Sequence, residues 1–91
     1  MTALAALPHR ETVACRGRIV ALDEHVSHQG LPWASGVVES PSGEDRFEVW
    51  PVPYRSAGKL SVGARVAFVA VVDLERAAEP VLLVRQVEVL A

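Results

Sequence analysis

Ninety-one residues with a formal net charge of -2 hold one compact domain and no more. The acidic balance excludes a protein that grips phosphate by bulk positive charge, so any hold on nucleic acid must come from a local patch and be weak. A lone cysteine, Cys15, excludes an internal disulfide and fits a reducing, cytoplasmic setting; a hydrophobic fraction of 51%, led by valine, favours pleated sheet.

Residues 1 to 10 (MTALAALPHR) read as an arm or a single helical turn leading in. They lack the basic start and long apolar run of a leader or a membrane span. The first strand is expected from about Thr12 to Leu22. Val13, Cys15, Gly17, Ile19 and Ala21 form its inward set, and Ala14, Arg16, Arg18 and Val20 its outward set. Gly17 offers no side chain to fill an interior. It permits the coiling by which one strand serves both ends of a closed sheet. Asp23 to Pro32 (DEHVSHQGLP) reads as a polar loop.

A second strand follows from about Trp33 to Glu39, with Ala34, Gly36 and Val38 inward and Trp33, Ser35, Val37 and Glu39 outward. Ser40-Pro41-Ser42-Gly43 carries the residues of a type I turn, which makes residues 33 to 51 a hairpin. On its return strand Phe47 and Val49 point in, and Arg46, Glu48 and Trp50 point out or cap an end. Pro51 and Pro53 stop the pairing, because proline has no N–H for a ladder. Tyr54 to Leu60 is a short helix that plugs the open end, with Tyr54 and Leu60 pointing down. Ser61-Val62-Gly63 turns the chain into a fourth strand, from about Ala64 to Asp73. Val66, Phe68, Ala70 and Val72 line one of its faces, and Arg65, Ala67, Val69 and Val71 the other. After a charged loop, Leu74 to Pro80, the fifth strand runs from Val81 to about Leu90. Leu82 and Val84 face one way, and Val81, Leu83, Val87 and Val89 the other. A second apolar face of this kind is either covered by the arm or used by a partner.

This order predicts an all-β fold: a five-stranded Greek-key barrel with a short helix between strands 3 and 4, over residues 11 to 91. VACRGRIV (Val13 to Val20), GVVESPSG (Gly36 to Gly43), FEVWPVPY (Phe47 to Tyr54) and LSVGARV (Leu60 to Val66) stand in the order and spacing of a known family. The chain resembles the OB-fold nucleic-acid-binding domains of the tRNA anticodon-binding type. These occur in class II aminoacyl-tRNA synthetases and in the alpha subunit of the bacterial replicative polymerase, and related modules occur in replication protein A. Two departures stand out: Ala70 where the family often has glycine inside strand 4, and Ser40-Pro41 after the acidic residue of strand 2. The resemblance implies the barrel more firmly than any ligand.

The usual ligand surface of this fold is the outer face of strands 2 and 3 with its flanking loops. Here that face carries Trp33, Ser35, Val37, Arg46, Glu48 and Trp50, with Arg16 and Arg18 entering from strand 1. An aromatic ring beside arginines suits single-stranded nucleic acid: the ring stacks on a base and the guanidinium takes phosphate. The plainer reading has Trp33 covering the sheet edge and the arginines solvated. Trp50, just before Pro51, also has a structural reading, packed under the short helix. The flanking loops oppose tight binding, since Asp23 and Glu24 in one, and Asp73, Glu75 and Glu79 against Arg76 in the other, repel a phosphate backbone. His25 and His28 in DEHVSH have a metal-like spacing, but a polar loop without paired cysteines is the simpler account. Cys15 reads as a small buried hydrophobe.

No phosphate loop, nucleophile elbow, serine triad or spaced carboxylate pair is present, so neither an enzyme nor a cofactor is expected. Two functional readings follow. In the first, the chain is a weak, salt-sensitive single-strand-binding module accessory to replication, repair or RNA metabolism. In the second, it is a protein-interaction adaptor, small subunit or homodimer working through Val69, Val71, Val81 and Leu83 on strands 4 and 5. No membrane partner is expected.

Overall fold

The computed structural model of the chain describes residues 11–58, 60–75 and 80–90. The expected arm at 1 to 10 lies outside them, as do Lys59 and the Arg76 and Glu79 of the last loop. The elements are β1 (Thr12–Val26), β2 (Pro32–Ser40), β3 (Gly43–Val49), α1 (Pro51–Ala57), β4 (Arg65–Asp73) and β5 (Val81–Leu90). The strands close into a barrel in the order β1-β2-β3-β5-β4, every pairing antiparallel except β3 with β5. This is the expected five-stranded Greek-key OB barrel.

β1 belongs to both halves of the barrel. Thr12 to Arg18 pair with β4, and Arg18 to Val26 pair with β2, so Arg18 stands opposite both Arg65 and Glu39. Gly17 sits just before this crossover. A Cβ there would stand well under 3.0 Å from the Glu39 carbonyl oxygen, so only glycine lets β2 close over β1 at that point. The other seam closes through the Ser61–Gly63 turn, where Gly63 has φ 93 and its N–H donates to the Ile19 carbonyl at 2.7 Å. The Ile19 N–H in turn donates to the Ala64 carbonyl at 2.9 Å.

The core is a single cluster that includes Ile19, Val38, Phe47, Val49, Leu60, Val66, Phe68, Ala70, Val72, Leu82 and Val84. Phe47 and Phe68 meet across it with ring centroids 5.1 Å apart. The inward sets expected for β2, β3 and β4 are found, joined on β3 by Asp45. Tyr54 and Leu60 do pack against the barrel's end, Leu60 fully buried.

Four expectations are corrected. First, β1 runs to Val26 rather than Leu22, because Asp23, Glu24 and His25 find ladder partners in Ser35, Ala34 and Trp33. The polar loop shrinks to Ser27–Leu31. Second, a bulge at Val20 slips the alternation by one residue: Ala21 is exposed and Leu22 packs on the core in its place. Third, the helix starts at Pro51 rather than Tyr54. Proline at the first helical position carries no N–H that the helix would leave unpaired, and its φ is already helical. Fourth, the outer surface of β5 differs from the one expected. An irregularity opposite Val69 and Ala70 leaves Arg85 as the extra residue and turns Val87 to the core, while Val81 and Leu83 are 5% and 6% exposed.

Candidate functional site

Alternation on β1, β2 and β3 sends a small grid of side chains outward, and the ladders set its rows. Val37 lies between Ala21 and Arg46. Ser35 lies between Asp23 and Glu48. Trp33 lies opposite His25. The His25 and Trp33 rings stack with centroids 4.3 Å apart and planes inclined by 27°. His25 Nε2 is hydrogen-bonded to Ser35 Oγ at 2.8 Å, which fixes the imidazole over the indole. Two half-buried rings are thus locked into one stack on the sheet, each with a face covered by the other.

Trp50 stands where β3 gives way to α1. It does not pack under the helix: it is 47% exposed, and its Nε1–H donates to Glu48 Oε1 at 3.0 Å. The reason is the early helix start, which makes Trp50 the N-cap residue in extended conformation and aims its ring outward. Trp50, Val52, Leu31, Gln29 and Arg85 line a cleft of about 570 Å³ at this end of the face.

Of the residues expected at the site, the structure gathers Trp33, Arg46, Glu48 and Trp50 on or beside one face. Arg18 sits at its margin, where its Nη2 lies 3.8 Å from Glu39 Oε1. With both side chains about half exposed, that pair contributes at most about 1 kcal/mol. Arg16 is not part of this face. It lies opposite Ala67 on the β4 side of β1 and lines a different cleft, with Cys15, Ser56 and Arg85.

His25 was expected in a polar loop, where it or His28 could touch a base or a phosphate; sequence reasoning missed its place in the ladder opposite Trp33. The signal was present in β2. In a closed barrel the nine residues of β2 require an antiparallel partner of matching length, which carries β1 through DEHV. The DEHVSH stretch is accordingly pulled apart: Asp23 and His25 face outward, Glu24 reaches Tyr54 of α1, and His28 is in the turn. Tyr54 has its phenol pushed up by partial burial, then by the charge of Glu24 and by donating a hydrogen bond to that carboxylate. This contact ties α1 to the end of β1.

A second polar feature lies inside the barrel. Asp45, opposite Val38 on β3, is 5% exposed, and its Oδ1 has no hydrogen-bond partner among the described residues. Cys15 is half-buried. Burial pushes its thiol up, and the nearby charge of Asp45 pushes it further.

No family model matches the chain, and no curated protein matches its sequence. Solved structures do match. The mitochondrial single-stranded DNA-binding protein Rim1 of S. cerevisiae superposes with a TM-score of 0.68 at 16% identity, over 91% of this chain and 97% of that one. The OB domain of a Methanosarcina mazei protein gives 0.76 at 16% identity, over 100% of this chain and 83% of that one. The second OB-fold domain of replication protein A from Methanococcus maripaludis gives 0.66 at 11% identity, over 92% and 88%. At these identities the likeness establishes the OB fold.

Proposed function

We propose that this barrel is a non-catalytic module that binds single-stranded nucleic acid weakly through the outer face of β1, β2 and β3. The observation that carries the reading is the stacked His25–Trp33 platform with Arg46 two rows away on the same face. The open face of a locked ring stack suits a base, and a neighbouring guanidinium suits the phosphate beside it. The single-stranded DNA-binding proteins among the structural neighbours support it. The motifs VACRGRIV, GVVESPSG and FEVWPVPY support the anticodon-binding type of the fold within the same reading. An accessory role in replication, repair or RNA metabolism in the cytoplasm completes the proposal.

The test is a titration of tryptophan fluorescence with a short single-stranded DNA and its RNA counterpart, at low and moderate salt. Quenching that weakens steeply with salt is expected, since phosphate contacts release counterions. Trp33→Ala should lose roughly five- to hundredfold in affinity, the range for removing one stacked base. Arg46→Ala should weaken binding and flatten the salt dependence. No quenching by either oligonucleotide at low salt refutes the reading.

A second reading, a protein partner or second copy on β4 and β5, now rests on Val69, 37% exposed, with the half-buried Val71 beside it on the outer face of β4, because Val81 and Leu83 are buried. Val69→Glu disrupting an assembly that Trp33→Ala leaves intact would favour it.

A further inference from the structure

The platform is flanked by carboxylates where a binder of phosphate alone would carry cations. Asp23 is exposed and faces outward beside His25 on β1, directly across from Ser35. Two residues along a strand is roughly 7 Å, about the distance from the middle of a stacked base to an acceptor hydrogen-bonded at its Watson–Crick edge. Among the groups of this row, Ser35 Oγ is held by His25 and Glu48 Oε1 accepts from Trp50, so Asp23 is the acceptor turned to solvent next to the stack.

We infer that Asp23 makes this face selective for guanine. The inference rests on the single-strand-binding reading above and names the base that site prefers. In single strands the Watson–Crick edge of a stacked base is free to be read. A carboxylate offers only acceptors. Guanine presents two adjacent donors on that edge, N1–H and the N2 amino group, matched to the two carboxylate oxygens. Adenine and cytosine each present one amino donor beside a ring nitrogen acceptor, which the carboxylate repels. Thymine and uracil present one ring N–H between two carbonyl oxygens. A negative charge beside the platform weakens every phosphate-driven contact, and only the base with paired donors offsets that cost in full. The cationic groups of the face, Arg46 and Arg18, lie toward the other end of the ladder, which leaves the backbone a path away from Asp23.

The experiment is a fluorescence titration of the whole chain with four short oligothymidylates that differ at one central position: guanine, hypoxanthine, adenine or thymine. Hypoxanthine keeps the purine ring and N1–H but lacks the N2 amino group, so it separates stacking area from hydrogen bonding. The guanine oligonucleotide should bind about tenfold more tightly than the thymine one, the discrimination of one good base contact. Hypoxanthine should fall between, and adenine should stay close to thymine. Asp23→Ala should bring guanine and hypoxanthine to the level of adenine while tightening the thymine oligonucleotide. Equal affinity for all four in the parent protein overturns the inference and leaves the binding-module reading standing. So does an Asp23→Ala variant that keeps the guanine preference. Binding of none of the four overturns both.

Discussion

Gly36→Ala should unfold the barrel early and loosen the platform above it. The Cβ added at Gly36 would stand well under 3.0 Å from the Ala21 carbonyl oxygen and 3.0 Å from Phe47 Cζ. Neither neighbour can give way. Ala21 is backbone in the β1–β2 ladder, and Phe47 is 1% exposed and held against Phe68. The strands must therefore part. One extra carbon in a packed interior costs about 1–3 kcal/mol. The reduced freedom of the unfolded chain returns about 0.4–1 kcal/mol. With both obstacles rigid the net loss should be near 2 kcal/mol. For a domain of this size each kcal/mol moves the melting temperature by about 4–8 °C, so a drop of roughly 10 °C is expected in a thermal scan followed by circular dichroism. Ser35 and Val37 flank the substitution, and Ser35 holds His25, so the tryptophan emission of the folded variant should also shift. A melting temperature equal to or above that of the parent would refute the reasoning, since it would mean that β1 and β2 are not in close backbone contact at Gly36.

Phe68→Ala removes half of the aromatic pair at the centre of the core and should cost about 3–5 kcal/mol in urea unfolding, a large share of the stability of a small domain. Cys15 should react slowly with an aromatic disulfide reagent at neutral pH, because burial and Asp45 both disfavour the thiolate; Asp45→Asn should speed the reaction in the folded protein. Stability should decline in alkali. The Cys15 thiol and the Tyr54 phenol are both raised on folding, so their contribution is complete below their ordinary values of 9.0 and 10.0 and is lost as the pH rises through their folded values. Urea midpoints measured from pH 7 to 11 check the sign, and Tyr54→Phe should remove the later part of the decline.

How far the chain could be read in advance depended on whether a residue's neighbours along the sequence were also its neighbours in space. Phe47, Val49, Val66, Phe68 and Val72 alternate cleanly, and the pattern alone turned them inward. The Pro41-Ser42 connection is local, and so was its hairpin. The bulge at Val20 and the extra residue at Arg85 leave no mark in an apolar stretch, yet each slips every later side chain by one position, which is why Ala21 and Val87 changed faces. His25 was hidden for a different reason. Asp, Glu and His have low strand preference and enter a strand only because β2 supplies a ladder on one side and water the other. Trp33, Arg46 and Glu48 were legible because they sit on regular strands. Asp45 was not, because a carboxylate in an inward position breaks the rule on which the inward set was drawn.

The double allegiance of β1 has a kinetic meaning. Its second half pairs with the strand that follows it, but its first half must wait for β4, from far along the chain, before the sheet can close. Contacts of such separation form late, because the intervening loop must be ordered before they return any stabilisation. Until then the first half of β1 and the free side of β4 are unpaired edges of complementary register, and the nearest complement in a crowded solution is the same edge on another copy. Refolding at high concentration should therefore divert part of the chains into exchanged dimers, and the rate of barrel closure, more than its final stability, sets how much of the protein reaches the monomeric form.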